Sequence, residues 1–125
     1  MSADYPRGVV EQQLHELDEA LALSRVGGDS DLLREIVELF LADYPISLEK
    51  IRSAVEARDA AALEQHAHSL KGSVSTFGAQ SAFNAALALE RQGRTGDLGD
   101  VEAGLNQLEQ ALGALRPELE SIQNR

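Results

Sequence analysis

Leu98, Val101, Leu105, Leu108, Leu112, Leu115, Leu119 and Ile122 follow one another at alternating intervals of three and four residues. A helix gathers such a series on one face and a strand scatters it, so the end of the chain reads as a helix with one apolar seam. That seam has to be covered. A coiled coil between chains would cover it, but a single short run beside three other amphipathic segments points to a bundle within one chain. Pro117 interrupts the run and is expected to kink or fray its final turn.

The other segments carry the same period. Val10, Leu14, Leu17 and Leu21 recur from about Val9 to Gly27-Gly28, with Asp18 placed to cap a restart; the pattern leaves one helix or two open, and the segment is expected to cover one end of the bundle. Asp29 or Ser30 can cap a second run, in which Leu32, Leu33, Ile36, Val37, Leu39, Phe40 and Leu41 make a broad apolar face through Tyr44. Pro45 should kink or restart that helix, while Ile46, Leu48, Ile51 and Val55 continue its stripe, so residues 30 to 58 read as one bent element. Asp59 caps a third helix, ending near Thr76 with Gly78 at the corner. Phe83, Ala86, Leu87 and Glu90 share a stripe of a fourth, from Gln80 to about Gln92, and Gly93 to Gly99 reads as the one clear loop.

Four long helices joined by short connections favour antiparallel neighbours. The expected fold is all-α, an up-down-up-down four-helix bundle with a short additional N-terminal helix. A chain of 125 residues, 43% hydrophobic, has enough material for one core and not for two. Residues 9 to 125 therefore read as one domain, preceded by a disordered N-terminus at residues 1 to 8, which hold Pro6 and Gly8. The net charge of −10, without a basic cluster, disfavours nucleic acid. No apolar run approaches the ~20 residues of a membrane span. The sequence has no cysteine, which fits a reducing cytoplasm.

Chemistry concentrates in the third helix. Leu63, Leu70, Val74 and Phe77 gather on one side, and His68 lies opposite. Glu64 and Gln65 stand one turn before it, Lys71 and Gly72 one turn after, Ser75 two turns after. His66 is about 200° around the helix from His68 and points toward the core, so a buried, hydrogen-bonded imidazole is its expected state. The two rings therefore do not converge on a metal ion. A neutral imidazole followed one turn on by an ammonium and by a residue without a side chain suits phosphoryl chemistry. The ring attacks phosphorus, Lys71 holds the phosphoryl oxygens, and Gly72 leaves room for a partner. The plain alternative is a solvated histidine, an ordinary lysine and a weak helical glycine.

Ala67-His68-Ser69-Leu70-Lys71-Gly72-Ser73, followed by Phe77-Gly78-Ala79, resembles the signature of histidine-containing phosphotransfer (HPt) domains, A-H-x-L-K-G-[SA] and then an apolar residue with G-A. The similarity extends from Gly27-Gly28-Asp29 to Leu89-Glu90. It implies a phosphocarrier without its own ATP site, with His68 as phosphoacceptor, Lys71 orienting the phosphoryl group and Gly72 giving steric access. Gln65, Glu64 and Ser75 are candidates to bond the other ring nitrogen or the phosphate. Glu90 matches the family's Leu-Glu pair, and a solvated or helix-bridging role is expected for it. The implied partners are a response-regulator receiver domain, a hybrid histidine kinase, or both. Mg²⁺ is expected on the receiver and no cofactor or metal site on this chain, which would work as a cytoplasmic monomer. Rival readings are a non-catalytic helical interaction module and the phosphoacceptor domain of a chemotaxis-type kinase.

Overall fold

The computed structural model describes residues 15–125, and over these it is helical. The elements are α1 (Glu19–Arg25), α2 (Ser30–Ala57), α3 (Ala60–Ser75), α4 (Gln80–Thr95) and α5 (Val101–Gln123). The expected disorder of residues 1 to 8, and any helix before His15, lie outside the described residues.

Aspartates start the first three helices. Asp18, Asp29 and Asp59 each accept hydrogen bonds from backbone N–H groups of the first turn that no helical carbonyl can reach. Asp18 therefore starts a helix of its own, and Asp29 rather than Ser30 caps α2.

The four long helices close a ring in which α2 packs on α3, α3 on α4, α4 on α5, and α5 back on α2. Their apolar faces meet in one core, where Phe77, Ile51, Leu63, Leu70, Leu89, Leu108, Leu112, Leu115 and Leu119 are sealed from solvent. The three-and-four seam of α5 is consumed here, inside its own chain. α1 lies at the end of the bundle where α3 turns into α4: the Asp18 N–H donates to the Phe77 carbonyl at 2.9 Å. Gly78 makes that corner with φ +60°, and a Cβ on it would stand 2.7 Å from Asp18 Cβ. Glu118 of α5 accepts the backbone N–H groups of Glu16 and Leu17, fixing the chain just before α1.

Two expectations are corrected. The helix through Glu90 does not stop at Gln92, because Gly93 is buried inside α4 and the loop begins only at Gly96, which carries φ +78°. Helix-breaking propensity is overruled by packing: a Cβ on Gly93 would lie 2.6 Å from the Glu64 backbone nitrogen and 2.7 Å from the Ala60 carbonyl oxygen. Glycine is what lets α3 and α4 touch backbone to backbone. Nor does Pro117 fray the end of α5, which runs on to Gln123; Pro45 lies within α2, which is one element as expected. Leu119 and Ile122, both buried, hold the turn that follows Pro117 in place.

Candidate functional site

Leu63, Ala67, Leu70 and Val74 pin one face of α3 into the core, so the residues between them are turned outward by the helical period. His68 is among these, with 66% of its side chain exposed. Its environment comes mostly from the neighbouring helix. Glu90 of α4 is 2% exposed, the one buried charged residue among the described residues, and its Oε2 lies 2.8 Å from His68 Nδ1. Lys71 Nζ is 2.7 Å from Glu90 Oε1, a meeting of charges without good hydrogen-bond alignment. Arg94, one turn after Glu90, donates to the same Oε2 at 2.9 Å and, through Nε, to Glu64 at 3.0 Å.

A buried carboxylate ordinarily resists ionisation. Here Lys71 first, and His68 after it, hold Glu90 below the usual carboxylate range, against burial, which acts in the opposite direction. An ionised carboxylate only accepts hydrogen bonds, so Nδ1 of His68 must be the donor. The tautomer follows. In the neutral imidazole the proton sits on Nδ1 and the lone pair on Nε2, the ring nitrogen with no hydrogen bond among the described residues.

Lys71 is less free than its place in the sequence suggests. Its side chain is 20% exposed, and the ammonium lies 6.0 Å from the centre of the Phe83 ring. An ammonium has three N–H donors, so a contact with Glu90 leaves capacity for a phosphoryl oxygen. Gly72 lies exposed on the helix, and a Cβ added there would meet nothing within 4 Å. The fold makes no use of the missing side chain, in contrast to Gly93.

No hydrogen bond joins Gln65, Glu64 or Ser75 to His68. Glu64 pairs with Arg94, Ser75 Oγ donates to the Gly72 carbonyl at 2.7 Å, and Gln65 is exposed. The physical reason is that Nδ1 is already taken by a carboxylate reaching across from α4. Glu90 bridges helices as expected but is not solvated. One signal pointed to this: it shares a stripe with Phe83, Ala86 and Leu87, and a charge on a buried stripe needs partners. Arg94 went unnoticed because it was assigned to a loop. His66 is also corrected. It is half-buried, in a groove lined by Ile46, Lys50, Ser53 and Ala62, and no hydrogen bond to its ring is found among the described residues.

The sequence model of the Hpt domain matches residues 35–118, most of the chain and all the residues of this site. The chain belongs to the Hpt family. The Hpt fold is also that of histidine-containing phosphotransfer protein B (HptB) from Pseudomonas aeruginosa PAO1. Its crystal structure superposes with a TM-score of 0.82 at 28% identity, covering 88% of this chain and 96% of that one. No match was found among curated proteins. As an Hpt domain the chain serves histidine phosphotransfer in a two-component phosphorelay. Hpt domains are phosphocarriers rather than catalysts, and they work with response regulators and histidine kinases. Among the described residues no helix is long and apolar enough to cross a membrane.

Proposed function

We propose that His68 is the phosphoryl carrier and that Nε2 is the atom that carries. The observation behind this reading is the pairing of an exposed ring with a buried, ionised Glu90, which commits Nδ1 and leaves the Nε2 lone pair outward. Nε2 attacks the phosphorus of an aspartyl phosphate on a receiver domain and later returns the group to a receiver aspartate. Glu90 keeps the Nδ1 proton in place and offsets the positive charge that develops on the ring. Lys71 turns a free N–H toward the phosphoryl oxygens. Gly72 admits the partner's active-site loop.

The phosphoryl group comes from another protein, since this chain works without an ATP site. Mg²⁺ belongs to the receiver, where it offsets the charge of the transferring group. Gln65, exposed one turn from the ring, contacts the phosphoryl group or the partner. Glu64 pairs with Arg94 at the edge of the site, and Ser75 closes its own helical turn. Ala61 of α3 supplies exposed apolar docking surface. The protein acts in the cytoplasm as a monomer whose helical seams are satisfied within one bundle.

Incubation with a phosphorylated receiver domain and Mg²⁺ tests the assignment. Acid-labile, base-stable label should appear on the parent protein and on His66→Gln, and be absent from His68→Gln. ATP and Mg²⁺ alone should give no label. Label persisting on His68→Gln would refute the carrier role.

A further inference from the structure

Around His68 the charged side chains of two helices form one connected line. Glu64, His68 and Lys71 come from α3, and Glu90 and Arg94 from α4. Glu90 Oε2 is the branch point, since it accepts both His68 Nδ1 and Arg94 Nη2. α5, the other helix packed on α4, contributes no ion pair to this line among the described residues. On the α2 side of α3, Glu49, Lys50 and Asp59 line the separate groove that holds His66. The branch point means that Glu90 divides its negative charge between the ring proton and a cation that never touches the ring.

We propose that Arg94 is a positioning residue for phosphotransfer: by sharing Glu90 Oε2 it limits how tightly the carboxylate holds the Nδ1 proton, and so sets how readily the loaded ring releases its phosphoryl group. This rests on the reading of His68 as carrier. When the ring is loaded, the Nε2 lone pair forms the N–P bond and the P–O bond breaks, its electrons leaving with the aspartyl oxygen. The ring becomes cationic, with its proton still on Nδ1. In the release step an aspartate oxygen attacks phosphorus and the N–P electron pair returns to Nε2. The leaving group is then a neutral imidazole, provided that the Nδ1 proton has stayed. Without that proton it would be an imidazolate, a far poorer leaving group. Glu90 favours the proton-bearing form, and Arg94 moderates Glu90.

Three variants of the full chain test this: Arg94→Gln, Arg94→Lys and Glu64→Gln. Arg94 is 58% exposed, so its replacement leaves the core intact. In unphosphorylated protein, ring-proton NMR should show the His68 titration midpoint of Arg94→Gln moved up by about half a unit to one unit relative to the parent. Arg94→Lys should restore most of the parent midpoint. Glu64→Gln, which leaves Arg94 on Glu90, should give no rise. After loading, the alkaline limb of the pH profile for transfer to a receiver should shift the same way, by about three- to tenfold in rate for that change in midpoint. An unchanged midpoint with a lower melting temperature in all three variants would make Arg94 a helix clamp and overturn the proposal. An unchanged midpoint with an altered KM for the receiver would make it a surface contact, and overturn it equally. Because the titration uses unloaded protein, these failures are distinct from failure of the carrier reading, which would show as absent label at His68.

Discussion

His66 and His68 are two residues apart on one helix, in one chain and in the same solvent. The side of α3 that carries His68 meets α4 across Gly93, close enough for a buried carboxylate to reach the ring and for two cations to hold that carboxylate ionised. The side that carries His66 faces α2 across an open groove, and no hydrogen bond fixes its ring among the described residues. On the reading of His68 as the carrier, the contrast teaches that exposure is not enough: the neighbouring helix also has to fix the tautomer of the ring.

Erasing the difference should have the largest effect. Glu90→Gln replaces an obligatory acceptor by an amide that can also donate, so the tautomer of His68 is no longer imposed and the His68 side comes to resemble the His66 side. Transfer from a phosphorylated receiver should slow by about 10- to 100-fold, the loss typical when the partner that orients a functional histidine through its other ring nitrogen is removed. Single-turnover kinetics checks this, and a rate within a factor of two of the parent would show that the carboxylate is incidental.

Gly93→Ala tests the close approach that brings Glu90 within reach. Its Cβ meets backbone atoms of α3, which cannot rotate away, so a loss of about 2 kcal/mol is expected in urea unfolding, although alanine favours helix. Gly72→Ala should behave oppositely. Nothing lies within 4 Å of its Cβ, and stability should rise by up to about 1 kcal/mol, while Gly72→Leu slows transfer with helical circular dichroism unchanged. Loss of the fold at Gly72 would mean that this glycine serves packing after all.

Acid sharpens the comparison with the smallest effect. Glu90 is held below the ordinary carboxylate range in the folded protein, so its contribution is complete above that range and is lost as pH falls through its lowered folded value. A melting-temperature series downward from pH 5 should therefore fall less steeply for Glu90→Gln than for the parent. Equal slopes would place the acid sensitivity elsewhere.

Most of the architecture was legible, because long amphipathic runs punctuated by Asp caps and Gly stops leave few alternatives. Asp59 and Gly78 bounded α3 correctly, and the face of His68 followed from Leu63, Leu70 and Val74 alone. What escaped was the seam between α3 and α4. Gly93 looked like a helix end, because its reason for being glycine lies on another helix, and that misreading put Arg94 in a loop. Glu90 was noticed but left between solvent and a bridge to another helix, since helical period shows which stripe a residue occupies and not which side chains meet it across the gap. Pro117 erred the other way, a local breaker overruled by the packing of Leu119 and Ile122.

The tautomer of His68 can be read directly from the ¹⁵N resonances of its ring at a pH where the imidazole is neutral. If Glu90 imposes the tautomer, Nδ1 is protonated and Nε2 is not in the parent, and Glu90→Gln loses that preference. A proton on Nε2 in the parent, or the same pattern in both proteins, would contradict it.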